Sequence, residues 1–366
     1  MFYKKTLLFW NLTLLILILT NGCLKGSQNA PEVKGGLDSA SLSPDDRQIL
    51  FSFYKNGYAT IYAADVDGSN VKELASSIDY DYTYPIFSSD GSKIVFLGSV
   101  RHAVEPKSLL YLMDSSGKNI KPLTSKDNLI TEAVFSPDNK KIYFLKSAYF
   151  GHSSPIARSH PHAFDIYSIN VDGSELKRMT NFTAYEMEGL STSSDGKSLL
   201  LKITDQTLVQ SLLNISDEQL NDEETYSKVY HAPNPIIIIN LNEINKLTEL
   251  KLDQDKLKQL ASDENRVTEA KYGVDVYNPT LSHNSRFLAF TTVVDYDLFI
   301  MSITDKNIKQ LTNFKTYVHN IHFFNTQEKL IFIHDSNWPQ NGPSRLMQIN
   351  TDGSNTSEII LKVPGK

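Results

Sequence analysis

The sequence predicts an all-β, six-bladed propeller with four antiparallel strands in each blade, and three observations lead there. A unit of two polar turns recurs along the 366 residues. Short apolar runs of strand length flank every turn. The unit is also too small to bury its own faces and must stack against neighbours, which a closed ring of sheets allows.

The clearest copy runs from Ala133 to Leu145 and then from Asp165 to Ser174. In its first turn, Ser136-Pro137-Asp138-Asn139, the proline presets φ and Asn139 tolerates the left-handed conformation that closes a short hairpin. In its second, Asp172-Gly173 is a strong two-residue hairpin signal. Strands a, b, c and d result, the last ending at Lys177 to Thr180. Copies of the first turn stand at Ser43-Pro44-Asp45-Asp46, Ser88-Ser89-Asp90-Gly91, Ser193-Ser194-Asp195-Gly196, Ser282-His283-Asn284-Ser285 and, much altered, Asn325-Thr326-Gln327-Glu328. Behind them come Ile49 to Phe53, Ile94 to Leu97, Leu199 to Ile203, Phe287 to Thr291 and Leu330 to Ile333, each read as strand b. Second turns match at Asp67-Gly68, Ser116-Gly117, Asp305-Lys306-Asn307 and Asp352-Gly353.

Blade four is irregular. The first turns stand 43 to 57 residues apart except between Ser193 and Ser282, which are separated by 89. Thr204 to Pro235 reads as an insertion between strands b and c, with a short helix near the capping box Ser216-Asp217-Glu218-Gln219. Ile236 to Leu241 reads as strand c and Asn242 to Leu260 as an enlarged c–d connection, the insertion as a whole covering about 205–275. A seventh, degenerate blade hidden there is the competing reading.

The run Phe135-Ser136-Pro137-Asp138, Lys140-Lys141-Ile142-Tyr143-Phe144, then Ile166-Tyr167-Ser168-Ile169-Asn170-Val171-Asp172-Gly173-Ser174 resembles the repeat of TolB-type propellers, the PD40 or WD40-like repeat. The resemblance extends over roughly residues 37 to 361. It implies a TolB-like propeller, residues 37–366, and leaves function open. Such repeats serve in the periplasmic Tol-Pal component TolB, in the non-catalytic domain of prolyl-oligopeptidase-type peptidases and in oligogalacturonate lyases. The separate α/β domain that TolB carries ahead of its propeller is not expected here.

Residues 1–22 combine Lys4 and Lys5 with an apolar run from Leu7 to Leu19 and a small-residue junction, the pattern of a signal peptide. Thr20-Asn21-Gly22-Cys23 resembles a bacterial lipobox, with Thr20 where leucine is usual. Cys23 is the sole cysteine, so no internal disulfide forms and its thiol stands where a lipid would be attached. Residues 23–36 then read as a polar tether. An extracytoplasmic lipoprotein, in the periplasm or at the cell surface, is the implied location. The net charge of −6, with acids and bases interspersed, offers no basic stripe for nucleic acid. A monomer is expected.

Antiparallel order places all the tight turns on one face of the disc and the b–c and d–a connections on the other, where binding residues concentrate. The candidates on that loop face are Tyr80 and Tyr82 in the first d–a connection and Arg101 in the loop 99–107. The long loop 147–164 adds Tyr149, Phe150, His152, Arg158, His160 and His162, and Trp338 stands in the last blade. Aromatics beside arginine and carboxylates suit protein, peptide or sugar surfaces. His160 and His162 project to one side of an extended segment, as two ligands of one metal must, although backbone-bonded imidazoles are the plainer reading. His319 and His322, three apart on a strand, point to opposite faces. Asp79 and Asp81 read as solvated loop acids. No Gly-x-Ser-x-Gly elbow exists to support a hydrolase. The expectation is therefore a non-catalytic protein- or peptide-binding module with no cofactor. The alternative is a carbohydrate-binding or carbohydrate-active, oligogalacturonate lyase-like propeller holding a metal near His160 and His162.

Overall fold

In the computed structural model, residues 36–152, 159–260, 271–337 and 343–363 are described, and they form six four-stranded antiparallel sheets. The inner strands are β1 (Gly36–Leu42), β5 (Tyr80–Phe87), β9 (Leu129–Phe135), β13 (Glu186–Thr192), β17 (Val276–Leu281) and β21 (Tyr317–Phe323). Second strands such as β2 (Gln48–Lys55) and β6 (Lys93–Val100) are buried on both faces, as their unbroken apolar runs require. Six apolar clusters fill the spaces between consecutive blades, the last joining blade six to blade one through Ile331, Ile333, Phe51 and Phe53. Outer strands are short, two residues in β8 (Lys121–Pro122) and β24 (Ser357–Glu358), which leaves little free edge for pairing with another chain.

Among the described residues every sheet is contiguous in sequence, and no strand of blade six pairs with one of blade one. Side chains join the two instead. The buried Asp46 carboxylate accepts the backbone amides of Asn325 and Thr326 at 2.7 Å each and the Thr326 hydroxyl at 2.6 Å. Asn320 Oδ1 accepts the Ala40 amide at 2.6 Å.

The first turns alternate from blade one to blade five. In blades one, three and five the left-handed position carries Asp46, Asn139 or Ser285, with φ of 58°, 58° and 56°. Asn139 Oδ1 accepts the Ser89 amide at 2.7 Å and Ser285 Oγ the Ser194 amide at 3.0 Å, each from the preceding blade. In blades two and four that position is Gly91 or Gly196, facing Pro44 or Pro137 of the blade before. Amide-bearing turns thus meet acceptors, and prolines, which have no amide to donate, meet glycines.

Blade four contains one sheet, β13–β14–β15–β16, and the competing seventh blade is absent from the described residues. Between β14 (Ser198–Thr204) and β15 (Ile236–Asn240) lie α1 (Gln206–Leu212) and α2 (Glu223–His231). The Ser216–Gln219 capping box does form, with the Ser216 amide on Gln219 Oε1 at 2.9 Å, but it opens only a single 3-10 turn. The helices start instead at Asp205 and Asp222, whose carboxylates accept the amides of Leu208 and Thr225. The expected c–d connection 242–260 is corrected as well. Strand β16 (Leu247–Glu249) falls inside it, and α3 (Gln254–Leu260) belongs to the crossing to blade five.

Inner strands carry a β-bulge in every blade. In β21 it lies between His319 and His322, which pair with Ile333 and Ile331. Those isoleucines are alternate residues of one strand and share a face, so both histidines share it too. The expectation of opposite faces fails because the bulge inserts residues that the pleat does not count.

Candidate functional site

On the loop face, β10 (Lys141–Gly151) and β11 (His160–Asn170) extend well beyond their neighbours, with Tyr149 paired to His162 and Gly151 to His160. Much of the expected loop 147–164 is therefore hairpin, because its backbone bonds are met by strand pairing. Pleating puts His160 and His162 on one side, as their spacing predicts, with ring centroids 5.1 Å apart. Tyr149 packs edge-on to His162 at 4.6 Å and Tyr185 lies 4.9 Å from His160, giving a continuous layer of four rings. Tyr149 is 55% exposed. His162 Nδ1 bonds the His160 carbonyl at 3.1 Å, which commits one nitrogen to the backbone. Among the described residues no third His, Cys, Asp or Glu joins this pair in a metal-binding group.

A second constellation lies around the inner strand of blade four. Lys202, only 1% exposed, places Nζ 3.0 Å from Glu188 Oε1, 3.4 Å from Asp275 Oδ2 and 3.9 Å from the centre of the Tyr277 ring. Burial alone would depress the lysine, and the Asp275 and Glu188 carboxylates reverse that and hold it charged. A permanently charged ammonium is neither base nor nucleophile, so Lys202 acts as a fixed counter-ion. Burial, then the charge of Glu188, pushes Glu186 up to about 7. Burial does the same for Glu132, to about 7, against the pull of the Leu190 and Gly189 amides that its carboxylate accepts at 2.8 and 3.0 Å. Asp38 of blade one, also buried, is raised to about 7 despite its bond from Ser52.

Comparison with known proteins fixes the family. The TolB beta propeller domain, PD40, matches residues 37–252, more than half of the chain. The chain belongs to the TolB β-propeller family. TolB from Acinetobacter baumannii superposes with a TM-score of 0.54 at 16% identity, over 88% of this chain and 63% of that one. An oligogalacturonate lyase from Vibrio parahaemolyticus superposes at 0.53 with 11% identity, over 85% and 77%. Another oligogalacturonate lyase, in complex with manganese, gives 0.51 at 12% identity, over 85% and 76%. In sequence, an uncharacterized protein of Agrobacterium fabrum is 33% identical over 120 residues, 31% of this chain and 41% of that relative. The chain thus spans under two thirds of the length of that relative and of TolB. At these identities the structural likenesses establish the fold alone.

Within this TolB-type ring the sequence-predicted residues separate. Tyr149, His160 and His162 come together. His152 is exposed on the same hairpin, 3.2 Å from Ser159 Oγ. Tyr82 is corrected: it is 6% exposed, because strand β5 begins at Tyr80 and carries it into the core against Phe96 and Tyr111. Tyr80 stacks on it. Arg101 also works inside the disc, bonding the carbonyls of Gly57 and Ile78 at 2.8 and 3.2 Å with Asp81 3.8 Å away. Asp81 itself accepts the Ala59 amide at 2.8 Å, so it ties blade two to blade one rather than standing in solvent. Cys23, Arg158 and Trp338 lie outside the described residues.

Sequence reasoning missed Tyr185, Glu186 and Lys202. For Lys202 a signal existed: it is the one charged residue at a position where blades two, three and six carry Leu97, Leu145 and Ile333 and blades one and five Ser52 and Thr291.

Proposed function

We propose that this TolB-like propeller is an extracytoplasmic, membrane-tethered, non-catalytic module that binds an envelope protein or peptide on its loop face. The layer of Tyr149, His162, His160 and Tyr185 carries the reading. Three of its rings stand on paired strands and Tyr185 packs against His160, yet the layer is open to solvent at Tyr149, so binding freezes few rotamers and the ordering cost is low. Membership of the TolB propeller family supports the envelope location, and the signal-peptide-like pattern of residues 1–22 ahead of Cys23 supports a lipid tether.

The test is photo-crosslinking in cells from a reactive amino acid placed at Ala148, which is exposed beside Tyr149. One envelope protein captured by wild type and lost on Tyr149→Ala with Tyr185→Ala is the expected result. Capture unaffected by those changes overturns the reading. So does stoichiometric metal in the purified protein that disappears with His160→Ala and His162→Ala, the outcome a lyase-like site requires. Cys23→Ser should release the protein from the membrane fraction.

A further inference from the structure

We propose that the loop face of blades three and four is a docking surface for an extended, arginine-bearing peptide, which stacks its guanidinium groups on a band of tyrosine and histidine rings. This rests on the reading above and names the chemistry of the partner.

The four rings of the hairpin are only half of the band. On α2, Tyr226 and Tyr230 stack at 5.8 Å, Tyr230 meets His231 at 5.3 Å, and His231 stacks on Tyr272 at 6.3 Å. The two groups lie within electrostatic reach of each other: burial, then the charges of Tyr226 and Tyr185, push the Tyr230 phenol up. Tyr226 is 51% exposed, so each half presents one open ring face. Every member is tyrosine or histidine. Such a surface has π faces with polar rims, which suits a flat cation better than an aliphatic side chain.

Charge selects the occupant. Residues 205–231 contain six carboxylates, Asp205, Asp217, Glu218, Asp222, Glu223 and Glu224, against the single Lys228. Glu223 and Glu224 are exposed in the first turn of α2, three and two residues before the open ring of Tyr226. Tyr272, at the far end of the band, is already occupied by a cation of this chain, with Lys271 Nζ 4.8 Å over its ring and 3.0 Å from its hydroxyl, so the open faces are those of Tyr149 and Tyr226. A carboxylate beside an open ring attracts a cation and repels a uronate. Arginine fits better than lysine because its planar guanidinium both stacks and pairs with carboxylate. Neutral sugars also stack on tyrosine, but the acidic surround contributes nothing to holding them.

The test uses purified protein and a fluorescein-labelled peptide of five Arg-Pro repeats, read by anisotropy. Parallel titrations use Lys-Pro and Glu-Pro repeats, with cellohexaose and chitohexaose followed by calorimetry. Arg-Pro is expected to bind best, Lys-Pro more weakly and Glu-Pro not at all. The double change Tyr149→Ala and Tyr226→Ala should weaken Arg-Pro about tenfold, since two exposed cation–π contacts are worth about 0.5–1 kcal/mol each. Glu223→Gln with Glu224→Gln should weaken it while leaving Tm unchanged. Equal binding of Glu-Pro, indifference to the tyrosine pair, or binding of a hexasaccharide in place of Arg-Pro overturns the proposal. If the cellular cross-link still depends on Tyr149 and Tyr185 while Arg-Pro fails, only this inference falls. If that dependence is lost too, the broader reading falls with it.

Discussion

Replacing Asp46 by alanine tests how the ring is closed. The carboxylate is 3% exposed and accepts two backbone amides of blade six, both at 2.7 Å. Asp46 also accepts the Thr326 hydroxyl at 2.6 Å and the Asn325 side-chain amide at 3.1 Å, but these side chains can turn to water when the carboxylate is removed, so the loss is counted on the two fixed backbone amides. Hydrogen bonds to a charged acceptor contribute about 1.5–3 kcal/mol each, and at the low end two give about 3 kcal/mol. Asn139→Ala is the control. It removes one neutral bond of the same kind, about 1 kcal/mol, from a residue with the same φ of 58°. The backbone cost of placing alanine in the left-handed region therefore cancels between the two variants. The expected difference is about 2 kcal/mol, or about 4 °C in Tm for a chain of this size. Urea and thermal unfolding followed by circular dichroism would measure it. Equal losses in the two variants would refute the reasoning, because the seam would then depend on its apolar cluster and not on Asp46.

Lys202→Met should cost about 2–3 kcal/mol, below the range for a fully buried pair, by leaving the half-buried Glu188 and Asp275 without their cation, and adding Glu188→Gln should restore part of it in the same denaturation assay. Gly189→Ala should destabilise far more than Gly196→Ala. Both have positive φ, but a Cβ on Gly189 would lie 2.4 Å from the Pro279 carbonyl oxygen, whereas one on Gly196 meets Pro137 at an ordinary 3.5 Å. Asp38, Glu132 and Glu186 stand at about 7 in the fold against about 4 in an unfolded chain. The folded state therefore holds protons that the unfolded state has released. This contribution to stability is complete below about pH 4, falls as the pH rises to about 7 and is then level. The turn aspartates, lowered by their serine hydroxyls, act in the opposite direction. The comparison is therefore between wild type and Glu186→Gln, whose Tm should exceed wild type at pH 8 and match it at pH 4.

The blade count and strand order were legible because turn chemistry is local. Ser136-Pro137-Asp138-Asn139 encodes its own geometry, with Ser136 Oγ on Asp138 Oδ1 at 2.6 Å and the Lys141 amide returning to Ser136 Oγ at 2.9 Å. Even the altered Asn325-Thr326-Gln327-Glu328 occupies the expected turn. What could not be read depended on neighbours distant in sequence. Tyr82 reads as a loop residue because Asp79, Asp81 and Thr83 surround it with polarity, yet Asp81 is satisfied by the Ala59 amide of the adjacent blade and Thr83 is buried. The bulges were invisible because a residue left unpaired in an inner strand has no fixed sequence mark. Tyr185, which follows the isolated bridge between Ala184 and Phe164, gains its place in the ring layer only when the hairpin folds over it.

The alternation of the first turns limits how such a ring can change in size. Excision of blade two alone would bring Pro44 against Asn139, whose side-chain oxygen would then face a residue with no N–H to give. Excision of blades two and three together would set Pro44 against Gly196, a pairing the ring already uses. Gain or loss by duplication should accordingly be tolerated in steps of two blades, so that the heritable unit of this disc is the pair.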